Sequence, residues 1–138
     1  MNRNRISFSC AAIATAAHTA TIYGAPILGL KRVDIGKLIS KKIMRSDKRV
    51  AGLVVHALLG IVIFPTSYNL VAHQFLPKNK TASGLAWGIT LWSVGHSLIV
   101  PFLGGTDYFK KRPSARATYF LAHVAYGLLC TFDRKQRQ

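Results

Sequence analysis

The sequence predicts an all-α integral membrane protein: a compact four-transmembrane-helix bundle with a short amphipathic interfacial helix between helices 1 and 2. Half of the 138 residues are hydrophobic, which suits a chain whose surface meets lipid. The charged residues are crowded into short patches that leave residues 6–30, 50–76, 81–106 and 117–132 free of charge. A helix needs about 20 residues to cross about 30 Å of hydrocarbon, and the first three runs exceed that. The fourth is slightly short and is expected to continue into the interface through its terminal Thr, Tyr and Phe residues. One domain accounts for residues 1–138, with spans at about 6–30, 50–76, 82–104 and 117–132 and a basic segment at 31–49.

The first span follows Asn2-Arg3-Asn4-Arg5, a basic start of the kind that opens a signal peptide. Its apolar run outlasts a signal core, so an uncleaved span is expected. In segment 31–49, Ile35, Leu38, Ile39 and Ile43 recur at helical spacing, with Lys37, Lys41, Lys42 and Arg45 on the other faces. That pattern predicts a basic helix lying on the membrane surface, its cations on anionic headgroups.

The second span carries Gly52, His56 and Gly60 on one stripe; the third carries Gly84 and Gly88, continued by Trp92 and His96; the fourth carries His123 and Gly127. Small residues at this spacing let helices approach closely where lipid competes with any apolar contact. Pro26, Pro65 and Pro101 are expected to kink their helices and to free carbonyls.

A net charge of +15 ordinarily points to nucleic acid. Here the cations flank the spans, where headgroups and the insertion machinery account for them, and nucleic-acid binding is not expected. Seven Lys and Arg fall with the termini and the 77–80 loop, and twelve fall in the two loops on the other side. The imbalance predicts that the twelve are cytoplasmic and that both termini lie outside. There is no Glu, and all four Asp lie outside the spans. Intramembrane carboxylate chemistry is thereby excluded: acidic proton relays, carboxylate di-iron sites and paired-carboxylate hydrolysis. No Walker loop, CxxC, HExxH or GxSxG occurs.

Counting from the proposed cytoplasmic ends puts His56, His96 and His123 within about one helical turn of a common level. Each shares a stripe with a glycine and is expected to face inward. His18 is expected deeper, and His73 near the far surface. Three such rings can glue helices by hydrogen bonds, ligate a b-type haem, hold zinc or copper, or relay protons, with Tyr126 and Tyr68 as supporting donors. A transport path would have to use Asn69, Gln74, Ser93 and Ser97, a sparse set. Cys10 and Cys130 approach the same side, where a disulfide is geometrically feasible.

The stretches HALLGIVIFPTSY, GLAWGITLWSVGHSLIVPFLG and LAHVAYGLL resemble the YagU-like group of small bacterial inner-membrane proteins, four-helix proteins of unassigned function. The likeness covers residues 50–130 and rests on His56, Gly60, Tyr68, Gly84, Trp87, Gly88, Trp92, Pro101, His123, Tyr126 and Gly127. It implies an inner-membrane location, draws attention to His56 and His123, and brings no activity. The function expected is a non-enzymatic accessory or scaffolding component of a membrane complex, its partners lipids and other membrane subunits. The rival is a haem- or metal-binding electron-transfer subunit using His56, His96 and His123.

Overall fold

The structure is a computed structural model, and residues 5–132 of it are described. Arg3, Arg134, Lys135 and Arg137, which entered the loop-charge reading, lie outside the described residues. Residues 5–132 are mostly helical, with no strand among them. In chain order the helices are α1 (Phe8–Gly24), α2 (Ile35–Ile43), α3 (Arg49–Leu70), α4 (Lys80–Phe102), α5 (Thr106–Lys111) and α6 (Pro113–Thr131). Two of them, α3 with 22 residues and α4 with 23, are long and apolar enough to cross a membrane.

Side-chain caps set three of the starts. Ser7 accepts from the Cys10 amide, Asp34 from Lys37 and Asn79 from Ala82, satisfying donors that a first turn leaves orphaned. α1 stops earlier than its apolar run. Pro26 lies in a 3-10 turn, Ala25–Leu28, which Gly29 closes at φ 72°, a left-handed conformation suited to glycine. The charge-free run therefore holds a helix that ends at Gly24.

Pro65 and Pro101 do not break their helices. Each is preceded by a π turn, Leu59–Ile63 and Gly95–Ile99, in which the Phe64 amide donates to the Leu59 carbonyl and the Val100 amide to that of Gly95. A proline ring clashes with the carbonyl four residues back, and widening that turn relieves the clash. The inward face is consequently carried on one residue late. It steps by five from Gly60 to Pro65 and from Gly95 to Val100, where it otherwise steps by three or four.

The interior has two apolar clusters. One gathers Ile22, Val33, Ile35, Ile39, Val100, Leu103, Phe109 and Tyr119 at the basic end; the other gathers Ile6, Ala11, Ala14, Tyr68, Trp87, Leu91, Tyr126 and Cys130. α2 forms where the spacing puts it, and Ile35 and Ile39 of its apolar face meet protein, while Ile43 stays exposed. Val33, Ile35 and Ile39 are buried in the basic-end cluster because Gly36 and Gly52 let α2 lie directly on α3. The Ser40 hydroxyl accepts from the Gly52 amide at 2.7 Å and donates to the Lys48 carbonyl at 2.7 Å. Lys37, Lys41 and Lys42 remain exposed, and Arg45 lies beyond the helix with φ 49°.

The outer faces of α3 and α4 are apolar. Val50, Val54, Leu58 and Val62 line the outside of α3, and Leu85, Ile89, Val94, Leu98 and Phe102 that of α4. Outward hydroxyls are satisfied within their own helix: Ser67, Thr90 and Ser93 each donate to the carbonyl four residues back, at 2.8 to 2.9 Å. Both features suit a surface that water does not hydrate.

Candidate functional site

Between the two apolar clusters lies a polar layer that joins α1, α3 and α6. His56 Nε2 is 3.2 Å from His18 Nδ1, and His18 Nε2 is 3.2 Å from His123 Nδ1. His123 Nδ1 is also 2.8 Å from the carbonyl oxygen of Tyr119, one turn earlier on α6. His18 and His123 are buried, and His56 is partly so.

The Tyr119 carbonyl gives this chain a direction, because it can only accept. For neutral rings the proton of His123 is therefore on Nδ1, shared between that carbonyl and His18 Nε2. His18 Nε2 then accepts, so its own proton is on Nδ1 and is donated to His56 Nε2. His56 in turn carries its proton on Nδ1. One backbone oxygen thus assigns the tautomer of three rings.

A second bond closes the layer. After the π turn, the donor due at the Gly60 carbonyl is the amide of residue 65, and Pro65 has none. The Tyr126 hydroxyl takes its place at 2.5 Å. Thr15 packs on Gly60, where a Cβ would collide with its hydroxyl, and Thr15 itself donates to Ala11 at 2.7 Å.

The set brought together is therefore His18, His56 and His123, with Tyr126 beside it. His96 lies elsewhere, stacked on Phe109 at 4.8 Å between ring centroids and against Trp92 at 5.1 Å. The reason is rotation. Four residues turn a helix by about 400°, so a stripe followed in fours drifts about 40° per step and is about 120° off its face after three. The buried face of α4 runs Gly84, Trp87, Gly88, Leu91, Gly95, and leaves His96 to one side. His18 joins because α1 ends at Gly24. Counted from there it is six residues in, level with His56 and His123, although counting from the end of the apolar run placed it deeper.

These residues do not fit a haem or a single metal ion. The cavity beside them, lined by Thr15, His18, His56, Gly60, Phe64, Leu91, His123 and Tyr126, has a volume of about 10 Å³, room for about one water. His18 turns opposite ring nitrogens to its two neighbours, so the three rings do not converge on one point. Among the described residues no group of three His, Cys, Asp or Glu has a metal-binding arrangement.

The other polar candidates are occupied locally. Asn69 makes a two-point clip to the Ile6 backbone, at 2.8 Å in each direction. Gln74 donates to Leu70, His73 Nδ1 to the Tyr68 carbonyl, and the Tyr68 hydroxyl pairs with that of Ser83 at 2.6 Å. Cys10 and Cys130 are free thiols. The Asn69 clip was not expected from sequence, though an Asn closing an apolar helix is a signal for such a bond.

At the basic end, Asp34 ties three elements together. Its carboxylate accepts from the Tyr23 hydroxyl at 2.8 Å and the Lys37 amide at 3.1 Å, and pairs with Arg49 at 2.7 Å. Burial pushes the Asp34 carboxyl up, but these three donors outweigh it and hold the group below its ordinary value.

A family model described as a family of unknown function, DUF6789, matches residues 1–134, and the chain belongs to that family. No curated protein and no solved structure matches it. None of these comparisons links it to the YagU-like group.

Proposed function

We propose that this member of the DUF6789 family is a multi-pass inner-membrane protein, embedded through α1, α3, α4 and α6, that serves as a non-catalytic accessory or scaffolding component of a membrane complex. One observation carries the reading: the outer faces of α3 and α4 are apolar, while the histidines and tyrosines between the two interior clusters are bonded to groups on neighbouring helices. The histidine chain, the Tyr126–Gly60 bond and the Ser83–Tyr68 pair use the interior polar groups on one another. A water-sized cavity beside the histidines leaves no room there for substrate or prosthetic group. In this reading the histidines are interhelical hydrogen bonds. The cations of 31–49 and 110–116 favour a cytoplasmic position for that end, with both termini outside, by the positive-inside rule.

Purification in mild detergent tests it. The expected result is a stoichiometric membrane-protein partner, no Soret band and no stoichiometric zinc, copper or iron. A lone, partnerless monomer overturns the scaffolding role, and a haem spectrum or bound metal restores the electron-transfer alternative.

A further inference from the structure

We infer that the junction of α4, α5 and α6 is a binding site for the phosphate of an anionic glycerophospholipid headgroup, built from His96, Ser97, Thr106, Lys110 and Arg116. The inference rests on the membrane reading above and goes beyond it by naming a discrete ligand site away from the basic helix α2.

A cavity of about 300 Å³ opens there, lined by those five residues together with Pro101 and Phe109. Its polar inventory is two cations, two hydroxyls and an imidazole, and no carboxylate lines it. The ion pairs among the described residues, Lys41–Asp47 and Arg49–Asp34, lie elsewhere, so neither Lys110 nor Arg116 is neutralised by one. Cations and hydroxyls without a carboxylate are the donor set that a phosphate oxygen accepts from. The His96 ring is held in place by Phe109 stacked on it and by Trp92 beside it.

Two features favour a lipid as the source of that phosphate. The exposed apolar stripe Val94, Leu98, Phe102 runs along α4 to the same place, which provides a track for an acyl chain. The cavity also lies at the basic end, where interfacial headgroups would sit. The charge of the lipid follows from what the cavity lacks. A zwitterionic headgroup brings its own ammonium, which Lys110 and Arg116 repel and no lining carboxylate receives. An anionic headgroup meets no such penalty.

Native mass spectrometry of the full chain in detergent, with defined lipids added, tests this. Wild type is expected to retain one phosphatidylglycerol in preference to phosphatidylcholine. The K110Q/R116Q variant should bind it on the order of tenfold more weakly, while K37Q/K41Q, with the same charge removed from α2, binds as wild type does. Both pairs are exposed, so folding is not at risk. Equal loss in the two variants shows diffuse attraction and overturns the site. Equal retention of the two lipids overturns the headgroup preference, and retention of inorganic phosphate without lipid overturns the lipid. Alkaline carbonate separates the two levels: a chain stripped from membranes by it refutes the membrane reading itself. A chain that resists extraction, yet whose K110Q/R116Q variant keeps the lipid, refutes only this inference.

Discussion

The seam between α4 and α6 and the seam that joins α1 to α3 and α6 are made of different materials. At the first, Gly84, Gly88 and Gly127 bring backbone against backbone: a Cβ on Gly127 would run into the Gly84 carbonyl, and one on Gly88 into that of His123. At the second, imidazoles, a phenol and a carbonyl reach across the gap. The first seam is specified by the absence of side chains and the second by their chemistry. The first should therefore fail under any added volume, whereas the second, close-packed only where Gly60 meets Thr15, should fail under a change of polarity as well.

The largest expected effect follows from the first seam. Gly127→Val has nowhere to go, because the atoms it meets belong to the backbone of α4 and cannot swing aside. We expect about 3 kcal/mol of destabilisation or more, read as a lower midpoint of thermal unfolding in detergent. Wild-type stability in that variant would mean that the helices are not in backbone contact. Tyr126→Phe conserves volume but strands the Gly60 carbonyl, and should cost about 1–3 kcal/mol by the same measurement. Pro65→Ala restores an amide there and should recover part of the loss in the double variant.

The histidine chain comes next. His18→Leu removes both of its bonds, worth about 1–2 kcal/mol together in a membrane interior. A double-mutant cycle sharpens the assignment: His18 and His123 should be strongly non-additive, whereas His18 and His96 should add, since they share no partner. Coupling between His18 and His96 would return His96 to the layer. Nitrogen-15 resonance of labelled histidine should find the proton on Nδ1 in His18, His56 and His123.

The smallest effect is outside both seams, at Asp34. Its folded pKa lies below the ordinary value of 3.8, so its contribution is fully present above that value and is lost as pH falls through the lower, folded one. Stability of the wild type should decline in that acid window, and Asp34→Asn should flatten the decline while lowering stability at neutral pH. An unchanged acid limb in the variant would remove Asp34 from its role as a tie.

Much of this architecture is written in the spacing of charge. The uncharged runs hold the four long helices because nothing else in the chain is apolar enough, and Gly84, Gly88 and Gly127 are readable as a contact because only glycine leaves such a groove. What the spacing does not carry is rotation and exact ends. His96 shares a four-residue stripe with two glycines, yet the drift of that stripe carries it off the buried face. His18 is hidden by counting α1 to the end of its apolar run, although Pro26 marks an earlier stop for the residues before it. The apolar face of α2 is plain in the sequence; whether lipid or protein covers it depends on Gly36 meeting Gly52, a contact between residues on different helices.

The two π turns bear on chain length. Each is one residue more than a regular helix would use to connect the same inward faces, and each is needed only because a proline follows. Removing one residue from 59–63 while replacing Pro65 would return α3 to an ordinary helix with Gly60, Tyr68 and the Asn69 clip still in place, and the same holds for 95–99 with Pro101. The middle of a long helix is where insertions and deletions are least expected, yet here the fold has two positions at which a single residue and a proline can be gained or lost together.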